Sequence, residues 1–216
     1  MMSTIQDAVL RIFELGGPVV LLLGVLSILV SSVVLYKLWQ FSVAGVGRHK
    51  ALRAAIDAWD AGDRGAARQN IDQSRSYLVP VVTMAFDGQT DVARLEAEAE
   101  TRFARLERGF RLLDSIGQLA PLLGLFGTVL GMITAFQALQ DAGAQVDPSI
   151  LAGGIWVALL TTAVGLAVAM PTVAVLSWFE ARIDADRVLA QKAIHTVLAP
   201  ECHKRAEKPQ GVPVHA

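Results

Sequence analysis

The chain has 216 residues, 53% of them hydrophobic and only 18% charged, with a mean hydropathy of +0.46 and a net charge of −1. That balance argues against a soluble globular domain, where about a quarter of residues are charged, and a near-neutral chain predicts no nucleic-acid partner. The charges avoid three stretches, 15–36, 115–140 and 148–179, each at least as long as the roughly 20 helical residues that cross a bilayer core.

Backbone groups in lipid must bond internally, so each stretch reads as a transmembrane helix and the chain as an all-α membrane protein. In order, residues 1–14 read as an outer amphipathic segment with Ile5, Val9, Ile12 and Phe13 on one face, or equally as a frayed terminus. The first span covers 15–39 and ends in Tyr36, Lys37 and Trp39, residue types that favour a membrane–water interface. Its length and its ending do not suit a cleaved signal peptide. Residues 40–114 form a helical region outside the membrane. There Leu52, Ile56 and Trp59 recur on one helix face, Gly62 and Asp63 read as a stop followed by an N-cap, and Pro80 opens a further helix that ends near Gly88.

From Asp91 an apolar stripe begins: Val92, Leu95, Ala99, Phe103, Leu106, Phe110, Leu113 and Gly117, at spacings of three and four. With no proline before Pro121, the pattern predicts one helix from Asp91 to about Leu139 that contains the second span, 115–139. Residues 140–149 form a loop, 150–179 the third span, 180–200 its helical extension and 201–216 a disordered tail. Two long helices carrying apolar stripes beyond a membrane need neighbours, which predicts a homo-oligomer.

The basic residues set the topology. Of 19 Lys and Arg, only Arg11 precedes the first span, twelve run from Lys37 at the end of that span to the start of the second, and none lies between the second and third. By the positive-inside rule the N-terminus and the 140–149 loop face outward, and 40–114 and the C-terminus face the cytoplasm. The cluster Arg48, His49, Lys50 and Arg53 just past the first span reads equally as a site of attraction for anionic lipid or as the topology signal and no more.

Within the second span Gly117, Pro121, Gly124, Thr128, Gly131 and Ala135 fall on one face; in the third, Gly154, Ala158, Thr162, Gly165, Ala169 and Thr172 do the same. Small residues allow close helix packing, and Thr128 and Thr162 also read as hydroxyls lining a pore. No span holds an ionisable residue past Lys37, although such residues are the usual proton carriers inside membranes. Either the chain conducts nothing, or a partner supplies the carboxylate. No span offers a His, Cys or carboxylate for catalysis, so the chain does not read as an enzyme. His195, Cys202, His203 and His215 lack metal-ligand spacing, and neither a metal nor a cofactor is expected.

Two runs carry a family resemblance. Ala120-Pro121-Leu122-Leu123-Gly124-Leu125-Phe126-Gly127-Thr128-Val129, followed by Gly131, resembles the second-span signature of the ExbB/TolQ/MotA proton-channel family. Gly154-Ile155-Trp156-Val157-Ala158-Leu159-Leu160-Thr161-Thr162-Ala163-Val164-Gly165-Leu166, followed by Ala169-Met170-Pro171, resembles its third-span signature. Three spans with a modest domain between the first two fit the ExbB/TolQ branch better than the four-span MotA type.

The resemblance implies a pentamer in the bacterial inner membrane, with a periplasmic N-terminus. Its central pore encloses the helices of an ExbD-like single-span partner whose Asp carries the proton. Thr128 and Thr162 match the pore threonines, and Val157 stands where ExbB and TolQ usually carry Glu. The function so implied is energy transduction through a TonB-like protein to outer-membrane import of iron–siderophore, haem or cobalamin. A TolQ-like role in envelope maintenance, or a passive membrane scaffold, is the alternative.

Overall fold

The computed structural model describes residues 2–141 and 148–200. Among them are seven α-helices and no strand: α1 Met2–Ala44, α2 Lys50–Asp60, α3 Arg64–Asp72, α4 Val79–Phe86, α5 Val92–Glu107, α6 Phe110–Asp141 and α7 Pro148–Leu198. Three segments are long and apolar enough to cross a membrane, one each in α1 (Gly17–Ala44), α6 and α7. The predicted tail, 201–216, and most of the predicted 140–149 loop lie outside the described residues, as do the side chains of 1–14 on which their amphipathic face depends.

Helix α1 is two helices in direct succession. Gly17 adopts φ 67°, ψ −168° between them, a backbone that a residue with a Cβ resists. Pro18 then opens the second helix, where its missing N–H costs nothing. That second helix runs on to Ala44, five residues beyond the expected end of the first span.

The expected single helix from Asp91 to Leu139 is broken. Helix α5 stops at Glu107, Arg108 takes ψ 125° and Gly109 takes φ 92°, and α6 restarts at Phe110. The stripe residues on either side of the break are buried all the same: Leu95, Ala99, Phe103 and Leu106 in α5, and Phe110 and Leu113 in α6. The interruption leaves the last carbonyls of α5 without helical partners. Lys37 Nζ donates to the Leu106 carbonyl at 2.8 Å and to Gln40 Oε1 at 2.8 Å, and Gln40 Nε2 reaches the Arg105 carbonyl at 3.5 Å. Lys37 is only 2% exposed, and its cation sits where a helix dipole favours positive charge.

The chain divides into two units: α1 to Tyr36 with 109–178, and 37–108 with the chain from Phe179 onward. The core of the second unit holds Leu52, Ile56, Leu78, Leu95, Phe103 and Ile183. Phe41 packs on Phe179 with ring centroids 4.8 Å apart. Trp59 stacks on Phe86 at 3.9 Å, carries the Arg64 guanidinium on its ring at 3.5 Å, and donates Nε1–H to the Val197 carbonyl in the last turn of α7. The N-cap read at Asp63 is present, its carboxylate accepting from Ala66 N at 2.9 Å.

In the same unit a buried polar network joins the stretch after α1, the loop before α4, and α7. His49 Nε2 meets Asp186 Oδ1 at 2.7 Å, His49 Nδ1 meets Ser76 Oγ at 2.9 Å, and Tyr77 donates its hydroxyl to Asp186 Oδ2 at 2.9 Å. Burial, reinforced by the Asp186 carboxylate, pushes the Tyr77 phenol well above its usual range. Nearby, Arg187 of α7 forks onto Glu100 and Glu107 of α5.

Candidate functional site

The pairing of α6 with α7 in the first unit is built on residues too small to hold the helices apart. Gly117, Ala120, Gly124, Gly127, Gly131 and Ala135 of α6 are buried, and Ala158, Thr161, Gly165, Val168 and Thr172 of α7 are buried with them. A Cβ on Gly165 would stand 2.6 Å from the Ala120 carbonyl oxygen, and one on Gly124 would stand 2.9 Å from the Thr161 carbonyl oxygen. A Cβ on Gly154 would collide with Ala135. Backbone approach of this kind is what small residues permit inside a membrane, where apolar burial gives no drive to associate.

Hydroxyls fill the polar needs of the crossing. Thr161 is 1% exposed and donates to the Ala158 carbonyl at 2.7 Å, with the Gly124 carbonyl of the facing helix at 3.2 Å. Thr162 reaches the same Gly124 carbonyl at 3.3 Å. Thr128 donates to the Leu125 carbonyl, one residue further along α6, at 2.6 Å. The two threonines singled out from sequence are therefore anchored to successive carbonyls of one helix, and both are half-buried at the edge of the packed seam.

Two of the expected positions sit beside the α6 seam rather than in it. Ala120 and Gly127 are buried where Pro121 and Thr128 were placed, and on α7 Thr161 is buried where Thr162 was placed. From Gly117 the α6 seam steps by three, four, three, four and four, and from Ala158 the α7 seam steps by three, four, three and four. Thr161 was missed because the expected series took two consecutive steps of four. Val157 is half-buried on α7, next to exposed Trp156. Pro171 lines a groove of about 170 Å³ with Ser27, Ser31 and Val34 of α1.

The remaining surface of the pair is apolar. Leu122, Leu125, Phe126, Val129 and Phe136 of α6 and Trp156, Leu159 and Met170 of α7 are all at least half exposed. Neither 115–140 nor 148–179 contains an Asp, Glu, His, Lys or Arg, so the paired helices offer hydroxyls and carbonyls but no group that titrates. Among the described residues no three His, Cys, Asp or Glu side chains cluster as metal ligands would.

Comparison with known proteins gives one family match and three relatives. Residues 70–191 match the sequence profile of the MotA/TolQ/ExbB proton channel family. The chain is 35% identical over 166 residues to a putative biopolymer transport protein ExbB-like 1 of Synechocystis, a match covering 73% of this chain and 65% of that protein's length. It is 31% identical over 186 residues to the biopolymer transport protein ExbB of Neisseria gonorrhoeae, covering 75% of this chain and 82% of the relative. A shorter match, 39% identical over 80 residues, joins 37% of this chain to 35% of the Tol-Pal system protein TolQ of Haemophilus influenzae.

Proposed function

The chain belongs to the MotA/TolQ/ExbB proton channel family, and from that premise we propose that it is an ExbB-like inner-membrane subunit of a motor driven by the proton motive force. In this reading five copies form a ring, and α6 and α7 line its central pore. An ExbD-like single-span partner inside the pore supplies the carboxylate that carries the proton. A TonB-like protein then delivers the work to outer-membrane import. The N-terminus is periplasmic, and the unit that begins at Lys37 faces the cytoplasm.

One observation carries the proposal: a tightly paired α6 and α7 with anchored hydroxyls and no titratable group of their own. An ionisable residue within a membrane is the usual mark of a proton path, so a proton-channel subunit without one needs its carrier from elsewhere. Val157, at the position where ExbB and TolQ usually carry Glu, increases that dependence. Thr128 and Thr162 hold water and meet the partner's carboxyl, whereas the other named small residues, Pro121, Gly124, Gly127, Gly131, Gly154, Ala158, Gly165 and Pro171, shape the wall. The similarity to TolQ keeps a Tol-type envelope role as the second reading.

The test is proton flux into liposomes holding the co-expressed complex, read with a pH-sensitive dye. Replacing Thr128 and Thr162 together by Val is expected to cut flux at least about tenfold, the loss of about one hydrogen bond along the path. Flux equal to wild type contradicts a role for these hydroxyls.

A further inference from the structure

Just past α1 the chain forms a basic pocket that the paired helices do not use. Gly47, His49, Lys50, Arg53, Ala54 and Asp57 line a cavity of about 380 Å³. Arg48, Lys50 and Arg53 are exposed, and none of the three forms an ion pair or a side-chain hydrogen bond among the described residues. This contrasts with Arg68, Arg102 and Arg187, each of which is held by carboxylates. Asp57, the one carboxylate in the lining, pairs with neither Lys50 nor Arg53. A further cation stands close by, because Arg182 Nη1 lies 3.4 Å from where a Cβ on Gly47 would be.

The pocket floor is fixed. His49 is 3% exposed and its imidazole is committed to Ser76 and Asp186, so it is wall rather than ligand. Gly47 takes φ 77° and Arg48 N donates to the Gly45 carbonyl at 2.9 Å, which pins the turn. No side chain caps α2, and its first turn holds no acidic residue, so its N–H groups add a positive field to that of the side chains. Tyr36 and Trp39, 56% and 64% exposed on the last turns of α1, are of the type that settles at headgroup level.

We propose that this pocket holds the phosphate group of an anionic phospholipid in the leaflet where α1 ends, with Lys50 and Arg53 as its principal ligands and Arg48 beside them. A phosphodiester matches clustered, unpaired cations, and a lipid brings one to the depth at which the helix leaves the membrane. The inference needs only that α1 spans the membrane, and it holds whichever way the motor assignment is decided.

The experiment is native mass spectrometry of the full chain released from nanodiscs of equal phosphatidylglycerol and phosphatidylcholine, with retained lipids counted. Wild type is expected to retain phosphatidylglycerol in preference, and Lys50→Gln with Arg53→Gln to lower that preference at least about tenfold. Arg94→Gln with Arg105→Gln, an equal loss of charge on α5, is expected to leave it within about twofold. Equal loss in both double variants, or no loss in either, overturns the proposal, as does full displacement of phosphatidylglycerol by millimolar inorganic phosphate, which would make the pocket a site for the free anion.

Discussion

A methyl group added at Gly165 would meet the Ala120 carbonyl oxygen at 2.6 Å, backbone against backbone, with no side chain able to yield. Gly165→Ala is therefore expected to destabilise the chain by about 1–3 kcal/mol, read as a lower Tm by circular dichroism in detergent. Gly153 in the same helix has nothing within 4 Å of the added methyl, and Gly153→Ala is expected to hold or raise the Tm. At Tyr77 the phenol is held protonated by burial and by Asp186. Because its folded pKa is raised, its contribution to stability is complete below the ordinary tyrosine value of about 10 and declines as pH climbs above it. Alkaline titration followed at 295 nm is expected to show a late tyrosine component that Tyr77→Phe removes. At this scale the sequence made residue types legible but not registers. That glycines and threonines build the α6–α7 crossing follows from their cost in any other setting. That Thr161 rather than Thr162 is buried depends on where the step of three falls after Ala158, which composition does not resolve.

Among the elements, the break between α5 and α6 is the instructive one. The stripe from Leu95 to Leu113 was legible because apolar burial sets its period, and every member of it is buried. The break was not, since a lone glycine within a helical pattern is ordinarily tolerated at a cost of about 1 kcal/mol, and only the partners of the freed carbonyls favour a left-handed Gly109. Those partners, Lys37 and Gln40, lie far away in sequence on α1. Lys37→Met keeps most of the buried stem but removes the donor from the Leu106 carbonyl. It is expected to cost about 1–3 kcal/mol, with hydrogen exchange quickening in the last turn of α5. Unchanged exchange at Leu106 and Glu107 would show that the ammonium does not hold that turn. The α1 limits illustrate the same point: an apolar run marks a helix long enough to span, while Gly17 and the turn after Ala44 set the ends of that helix.

For the molecule as a whole, the sequence sufficed for class and span count, because hydropathy and the bilayer's thickness decide both. It did not reveal the polar network of His49, Ser76, Tyr77 and Asp186, whose members come from three separate segments. Nor did it reveal that the unit beginning at Lys37 takes its core from both sides of the second and third spans. The proposed function turns on what the α6–α7 pair lacks: the two helices bring hydroxyls and small residues together without a titratable group, and in that proposal the proton carrier belongs to another chain. The most direct measurement is proton flux into liposomes for this chain alone, for its complex with a single-span partner bearing a membrane Asp, and for the same complex with that Asp changed to Asn. The expected result is flux from the complex only, lost in the Asn variant. Equal flux from the chain alone would contradict the account.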